Sequence, residues 1–533
     1  MKKKYLLPTK IVEYKGIFNN IDSLLKCHID QPSFCFEKNF FSNGGGYIIL
    51  DFGKEINGGL RIVNQGSGRQ NDDNLIHIRF GESVSEVMFE LGEFNSTNNH
   101  SPRDFNYLIP DFSKIEFGNT GFRFVRIDFP EGINQRIYSI NAISYEISNK
   151  QIGYFKSSDK QLDQIFDVAA RTAKLCVNDY IVDGIKRDRL VWAGDLFLEI
   201  KSLNYLFGNI SQVKKTLKFI EKTNPMPGFI QNMPTYNLWY LACVNEYYKL
   251  NGFDAFIKNR KQYASEILQL INAKINSLGL IDFDSTSGVS YPYFIDWRTA
   301  NEKLSKESNG CLYLFVLREC KDLLNKLGLG KLNDTICKKL DNLEPQLFNI
   351  SQFDCYSLLA SKGNKDQLIS SILNNGLNYF CPFSYVFVLN SIFDYKPLDA
   401  VEMLKKYNMA MIELGATTFF EEFDYSWKNS VRIDEVPDGK FNFLTDSGEG
   451  CYKGLRKSLC HGWASGPVSF IIENIVGFKG VIDKTVILEP FVNDLDYFES
   501  EFMCSLGIIK VSYKNRKFKV ITPKGVDYKI KER

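Results

Sequence analysis

Apolar residues recur at every second position up to about residue 150, at every third or fourth from about 155 to 475, and at every second again to the end. The first spacing is that of a half-buried strand, the second that of a helix packed on one side. A chain with this order of periods needs a helical body between two β units. In the first unit, 47–52, 60–63, 75–80 and 122–129 read as strands, and Gly/Asn clusters at 44–46, 57–59 and 66–68 separate them in the manner of a β-sandwich. No glycine cluster leads into a helix through GK[ST], which argues against a phosphate loop. His77 alternates within its strand as a satisfied side chain, and the polar loop 82–105 is long enough to form a rim or lid.

Helices are predicted over 158–177, 190–206, 209–223, 237–250, 254–275, 303–325, 331–343, 364–375, 385–394, 397–413 and 459–475. About 27 residues per helix and connection is an ordinary length. It fits six helical hairpins closed into an (α/α)6 barrel, and it fits a solenoid, although no motif recurs at fixed period. Segments 225–228 and 285–292 would border a cleft. From 478 the strands 485–488, 507–513 and 518–521 alternate Lys with hydrophobes, the wet face of an antiparallel sheet.

Lys+Arg 65 against Asp+Glu 63 gives no global field for nucleic acid or an anionic membrane. Twelve cysteines never form CxxC, their closest pairs (Cys27/Cys35, Cys311/Cys320, Cys451/Cys460) lie eight or nine residues apart, and only four histidines are present, so no zinc site is expected. Cys243 and Cys311 sit in apolar helical runs as small hydrophobes, a usage that favours a reducing compartment. The start, MKKKYLLPTK, lacks the apolar run of a signal segment, and no run of eighteen apolar residues follows; the reading is cytoplasmic.

The densest chemistry lies in 183–195, DGIKRDRLVWAGD. On a helix from Asp188 onward, Asp188, Trp192, Asp195 and Glu199 share one face at i, i+4, i+7 and i+11. Acids beside Arg187 and Arg189 are pushed to different pKa values, as acid/base work needs. The bland alternative is a solvated charged face, but an indole among carboxylates suits a sugar pocket better. A second acidic segment, 415–424 (GATTFFEEFD), follows an amphipathic helix with Gly415 at the expected C-cap. Composition does not choose between Glu421 and Glu422. A third, 461–467 (HGWASGP), opens the last predicted helix. All five tryptophans (192, 239, 297, 427, 463) fall mid-chain. Trp239 and Tyr236 suit a pocket flank or the core equally, and Trp427 stays undecided.

Segment 183–195 resembles the signature of the bacterial α-L-rhamnosidases of glycoside hydrolase family 78, D-x-x-x-R-(D)-E/D-R-x-x-W-x-G-D. The resemblance implies that Asp183 and Asp195 hold sugar hydroxyls, that Arg187 holds and polarises the site, and that Trp192 lines it. Asp188 falls where the family's general acid falls; many members have Glu there, one methylene longer. Segment 415–421 resembles the family's G-A-T-T-x-W-E, with Phe420 for Trp and Glu421 aligned with the general base. Segment 461–467 matches H-G-W-S-A-G-P, with His461 on the sugar or the base and Trp463 as a wall, and Asp296 and Trp297 resemble another pocket strip.

The resemblance favours the barrel. It implies an N-terminal β-sandwich accessory domain (1–150), an (α/α)6-barrel catalytic domain (151–476) and a small C-terminal β-sandwich (477–533). The expected activity is exo-acting, inverting removal of terminal α-L-rhamnose, with Asp188 as acid and Glu421 as base and no cofactor or metal. The expected partner is an L-rhamnosyl glycoside, with neither nucleic acid nor membrane, and a homodimer is compatible. Two alternatives stay open: a non-catalytic rhamnose-binding protein on the same scaffold, and an (α/α)6 hydrolase or lyase for a related deoxy or uronic sugar.

Overall fold

A computed structural model describes residues 1–26, 40–66, 75–277, 279–283, 288–298, 304–341, 347–360, 365–377 and 380–531. The Cys27/Cys35 pair, residues 67–68 of one glycine turn and 285–287 of one rim segment lie outside them. The order of elements follows the order of periods: antiparallel strands, helices, then strands again.

The N-terminal strands form one nine-stranded antiparallel sheet, built around two long strands, Tyr47–Gly66 and Ser113–Asp128. Their pairing breaks register between Asp51 and Ile56, where Gly53 turns through a positive φ. The first half of Tyr47–Gly66 thereby pairs with Lys10–Lys15 and its second half with Gln135–Glu146. The sheet closes on its own apolar core, which includes Phe40, Ile62, Phe80, Phe122 and Ile140. His77 donates to or accepts from Asp104 at 2.6 Å, the satisfied role expected.

Helices begin and end where local chemistry directs. Asp159 caps Lys160–Leu175 by accepting from Gln161 and Leu162 N–H, and Pro234 and Pro397 open two others. Pro397–Glu413 ends two residues before Gly415, whose φ of 97° and N–H bond to Ile412 C=O match the expected cap. Three expectations change. Residues 190–195 are not helical, and the helix starts at Leu196. The expected helix 459–475 is a strand-like approach to His461 followed by short 3-10, α and π turns. Ser351–Ala360 is a helix without a predicted counterpart; nearly all of it is buried, so it carries no polar face to reveal a period. Among the described residues no helix is long and apolar enough to cross a membrane.

The C-terminal strands divide into two sheets. Tyr497–Cys504, Gly507–Lys514 and Lys517–Ile521 are joined by Tyr154–Ser157, which the sequence placed with the helices. Thr485–Leu488 pairs antiparallel with Phe478–Ile482 and parallel with Asp527–Ile530. Val486, Phe498, Phe502 and Ile509 share one continuous apolar core with the helices. The N-terminal sheet meets the helical body differently, through buried polar groups. Arg123 pairs with Asp51 at 2.8 Å and donates to Gly415 C=O at 2.9 Å, and Lys186 pairs with Glu82 at 3.1 Å.

Candidate active site

The three segments singled out by composition are joined by backbone hydrogen bonds. Gly462 N–H donates to Asp183 C=O (2.6 Å), His461 N–H to Phe419 C=O (3.1 Å) and Glu421 N–H to Ser458 C=O (3.0 Å). Residues 458–462 thus run as a shared edge between the acid-bearing loop and the 415–424 loop. Gly462 lets the carboxylate of Glu199 approach closely, since a Cβ there would displace it.

Asp183 shapes its loop. Its Oδ1 accepts from Leu190 N–H and its Oδ2 from Asp188 N–H, both at 2.8 Å. These bonds curl 183–190 back on itself in place of the helix expected from Asp188. The common helical face of Asp188, Trp192, Asp195 and Glu199 does not exist, yet the first three still reach one hollow. Glu199 lies beneath it, buried, with neither carboxyl oxygen hydrogen-bonded, and burial pushes its pKa well up.

The hollow has a volume of about 260 Å³, room for a single sugar ring. Asp183, Asp188, Trp192, Asp195, Trp297, Glu421, His461 and Trp463 line it, together with Gln231, Met233, Tyr236, Ser290 and Tyr291. Gln231 braces the Trp192 loop by accepting from Ala193 N–H and donating to Val191 C=O. No local pattern marked Gln231 or Met233; they follow the Pro-rich rim that was expected to border a cleft.

Arg187 stands behind the hollow and touches both acids. Its Nη1 donates to Asp188 Oδ1 at 3.3 Å, and its Nη2 donates to both Glu421 oxygens at 3.0 and 3.1 Å. Ser458 N–H adds a donor to Glu421 at 3.4 Å, and Trp463 Nε1–H donates to the Glu421 carbonyl at 2.9 Å. Asp188 is a quarter exposed; its Oδ1 also meets His100 Nε2 at 3.3 Å, and its Oδ2 accepts from Trp192 Nε1–H at 3.3 Å. Glu422 faces elsewhere. It pairs with Arg298 at 3.4 Å and does not line the hollow, and burial raises its pKa to about 7 although Arg298 opposes this.

One other expectation needs correction, and the positions left open take definite places. Asp296 is not at the hollow: it accepts from Arg298 N–H and from the Ser384 hydroxyl, and it is fully buried. Trp239 stacks in the core against Phe197 and Phe387, whereas Tyr236 lines the hollow. Trp427 is a core residue stacked on Phe443, as is Phe420 in the place of the family's Trp.

His461 Nε2 lies 2.9 Å from Asp195 Oδ1. Burial works against the imidazolium, but Glu421, Asp195 and Asp183 outweigh it and lift the His461 pKa to about 9. Burial lifts Asp183 to about 7 against the pull of His461. A histidine whose pKa is raised on folding stabilises the fold fully below about 6.5 and loses that contribution as pH rises through about 9. An acid raised to about 7 likewise favours the fold at low pH, losing ground between about 4 and 7. Both signs agree. The unfolding midpoint should fall steadily from pH 5 to 9, and His461→Gln should flatten the part between 6.5 and 9; denaturant titrations at three pH values read this directly. An unchanged slope in the variant would remove His461 as the source.

Residues 150–273 match the family model of the bacterial α-L-rhamnosidase six-hairpin glycosidase domain. Solved structures share the fold. The GH78 rhamnosidase of Bacillus sp. GL1 superposes with a TM-score of 0.73 at 16% identity, covering 96% of this chain and 55% of its own. The rhamnosidase from Klebsiella oxytoca with rhamnose bound gives 0.70 at 18% identity, covering 88% and 95%. The Streptomyces avermitilis α-L-rhamnosidase complexed with L-rhamnose gives 0.70 at 12%, covering 99% and 50%. The chain therefore spans about half the length of the Bacillus and Streptomyces proteins and nearly all of the Klebsiella one. No curated protein matches it in sequence. The class is that of a mixed α and β protein with a rhamnosidase fold. The resemblance to the bacterial α-L-rhamnosidases of family GH78 holds in sequence over residues 150–273 and in fold over almost the whole chain.

Proposed function

We propose that the protein is an exo-acting, inverting α-L-rhamnosidase. On this reading the helices form the (α/α)6 barrel (151–476) between β-sandwich units at 1–150 and 477–533. The observation that carries it is Arg187: one guanidinium bonds two carboxylates on the wall of a sugar-sized hollow. A shared fork limits the gap between the bonded oxygens to less than about 9 Å, which admits an inverting pair without excluding a closer one. Inverting pairs stand roughly 6.5–9.5 Å apart, leaving room for a water, whereas retaining pairs stand roughly 5–5.5 Å apart.

Asp188 gives its proton to the glycosidic oxygen as the bond to C1 breaks. Water adds to C1 from the opposite face, and Glu421 takes the proton that this water sheds. The alcohol and a free sugar of inverted configuration leave. Asp183, Asp195 and His461 bond ring hydroxyls, while Trp192, Trp297 and Trp463 face the methyl that rhamnose carries in place of a hydroxymethyl group. That apolar wall discriminates by only about 1–3 kcal/mol. A blind, one-ring hollow suits release of terminal residues.

Proton NMR of an aryl α-L-rhamnoside digest tests the reading: the β-anomer should appear first and the α-anomer only by mutarotation. The α-anomer first would rule out inversion. Rhamnose binding seen by calorimetry, with no sugar released from any rhamnoside, would favour the binding-protein alternative.

A further inference from the structure

The N-terminal sheet reaches the acid itself. Residues between Ser83 and Arg103 leave the sheet, fold through the short helix Val84–Met88 and return alongside the 183–190 loop. This passage is tightly held. Asn98 Oδ1 accepts from Arg103 and Asp104 N–H at 3.0 and 3.1 Å, and Asn98 Nδ2 donates to Asp104 C=O at 2.8 Å. Ser101 Oγ meets Thr120 Oγ1 at 2.7 Å and donates to Lys186 C=O at 3.0 Å.

Lys186, two residues before the acid, is the other half of the fastening. Its buried ammonium pairs with Glu82 at 3.1 Å and Glu86 at 3.3 Å, both on the sheet side, and donates to the carbonyls of Leu455 and Lys457. Glu82 in turn accepts from Leu459 N–H at 2.7 Å. A side chain at Gly121 would come within 2.8 Å of the Lys186 backbone nitrogen, so sheet and loop are in direct backbone approach. Charges so deeply buried are costly unless paired, and breaking one pair leaves an uncompensated charge. The sheet and the acid-bearing loop are therefore held in one register.

Between these fastenings His100 puts Nε2 at 3.3 Å from Asp188 Oδ1, the oxygen that Arg187 also bonds. Oδ2 accepts from the Trp192 indole alone among these groups. A carboxylic acid holds its proton on one oxygen, and the oxygen that Arg187 bonds and that the His100 ring nitrogen approaches is the poorer place for it. We propose that His100 is a positioning residue for Asp188: with Nε2 protonated, it occupies Oδ1 together with Arg187 and so assigns the transferable proton to Oδ2, on the Trp192 side. The proposal rests on the reading of Asp188 as the acid. Under it the N-terminal sheet is part of the catalytic apparatus and not a detachable appendage.

The test uses the full chain with His100→Ala and His100→Gln. Turnover is compared on a rhamnoside of an alkyl alcohol, which needs a proton on departure, and on a dinitrophenyl rhamnoside, which scarcely does. His100→Ala should lose about tenfold more kcat on the alkyl substrate than on the dinitrophenyl one, with KM held. Gln, which keeps an N–H donor, should restore most of that difference. Equal losses on both substrates would assign His100 a merely structural role and overturn the proposal. A second readout does not need turnover: the imidazole nitrogen resonances of His100, one of four histidines in the chain, should shift between wild type and Asp188→Asn. Resonances that do not move would remove the contact. If they move while wild type cleaves no rhamnoside, the His–Asp pairing stands and the hydrolase reading falls.

Discussion

Glu421→Gln should lower kcat on an aryl α-L-rhamnoside by about 10² to 10⁴, with KM little changed. The amide keeps the size and shape of the carboxylate but cannot accept a proton from water. Donors converge on Glu421 from Arg187 and Ser458, so the group is anchored and the variant loses chemistry more than position. Some stability goes as well, because Arg187 loses one buried charged partner. A parallel variant separates the two effects. Glu422→Gln alters the adjacent carboxylate, which pairs with Arg298 away from the hollow, and kcat should stay within about threefold of wild type. If Glu422→Gln is the inactive protein and Glu421→Gln the active one, the base has been assigned to the wrong neighbour. Adjacent along the chain, the two acids part company: Glu421 lines the hollow while Glu422 turns to Arg298.

Composition and spacing went far in one respect and stopped short in another. The change of hydrophobic period located the helical body and both β units, because periodicity records which face is buried. Ser351–Ala360 escaped for the same reason: with every face covered, it leaves no contrast to read. At the hollow, clustered acids with an indole marked a segment that does line it, but with the wrong conformation. Two side-chain acceptors on Asp183 draw the backbone N–H groups of Asp188 and Leu190 out of any helical ladder, and propensity sums do not register a long loop closed by one carboxylate. Asp296 illustrates the opposite error, since an acid beside tryptophan looked like a sugar contact and instead joins Ser384 within the core. What lies across the sheet boundary has no local signal at all. Nothing in residues 82–105 indicates that Glu82 and Glu86 meet Lys186, or that His100 meets Asp188; only the packing of the sheet on the loop brings them together.

Asp188→Asn should reduce kcat in proportion to how much the leaving group depends on a proton. For an alkyl rhamnoside the expected loss is about 10² to 10⁴; for aryl rhamnosides it should shrink as the phenol becomes more acidic. A plot of log kcat against phenol pKa should then be steeper for the variant than for wild type. Parallel lines would mean that Asp188 serves position and not proton transfer. The geometry gives the reason to expect a usable acid despite the shorter side chain. Asp188 is a quarter exposed at the hollow, and all three of its side-chain contacts are long, each 3.3 Å, beyond the usual range of strong N–H···O bonds. A carboxyl held by two long hydrogen bonds and one long ion-pair contact keeps its orientation without a short, tight pairing. Glu421 is gripped at 3.0 and 3.1 Å by the same guanidinium and accepts from Ser458 N–H as well. One arginine thus holds the two carboxyls unequally, at 3.3 Å on Asp188 and at 3.0 and 3.1 Å on Glu421, and on the proposed reading that inequality, more than the presence of two carboxylates, separates proton donor from proton acceptor.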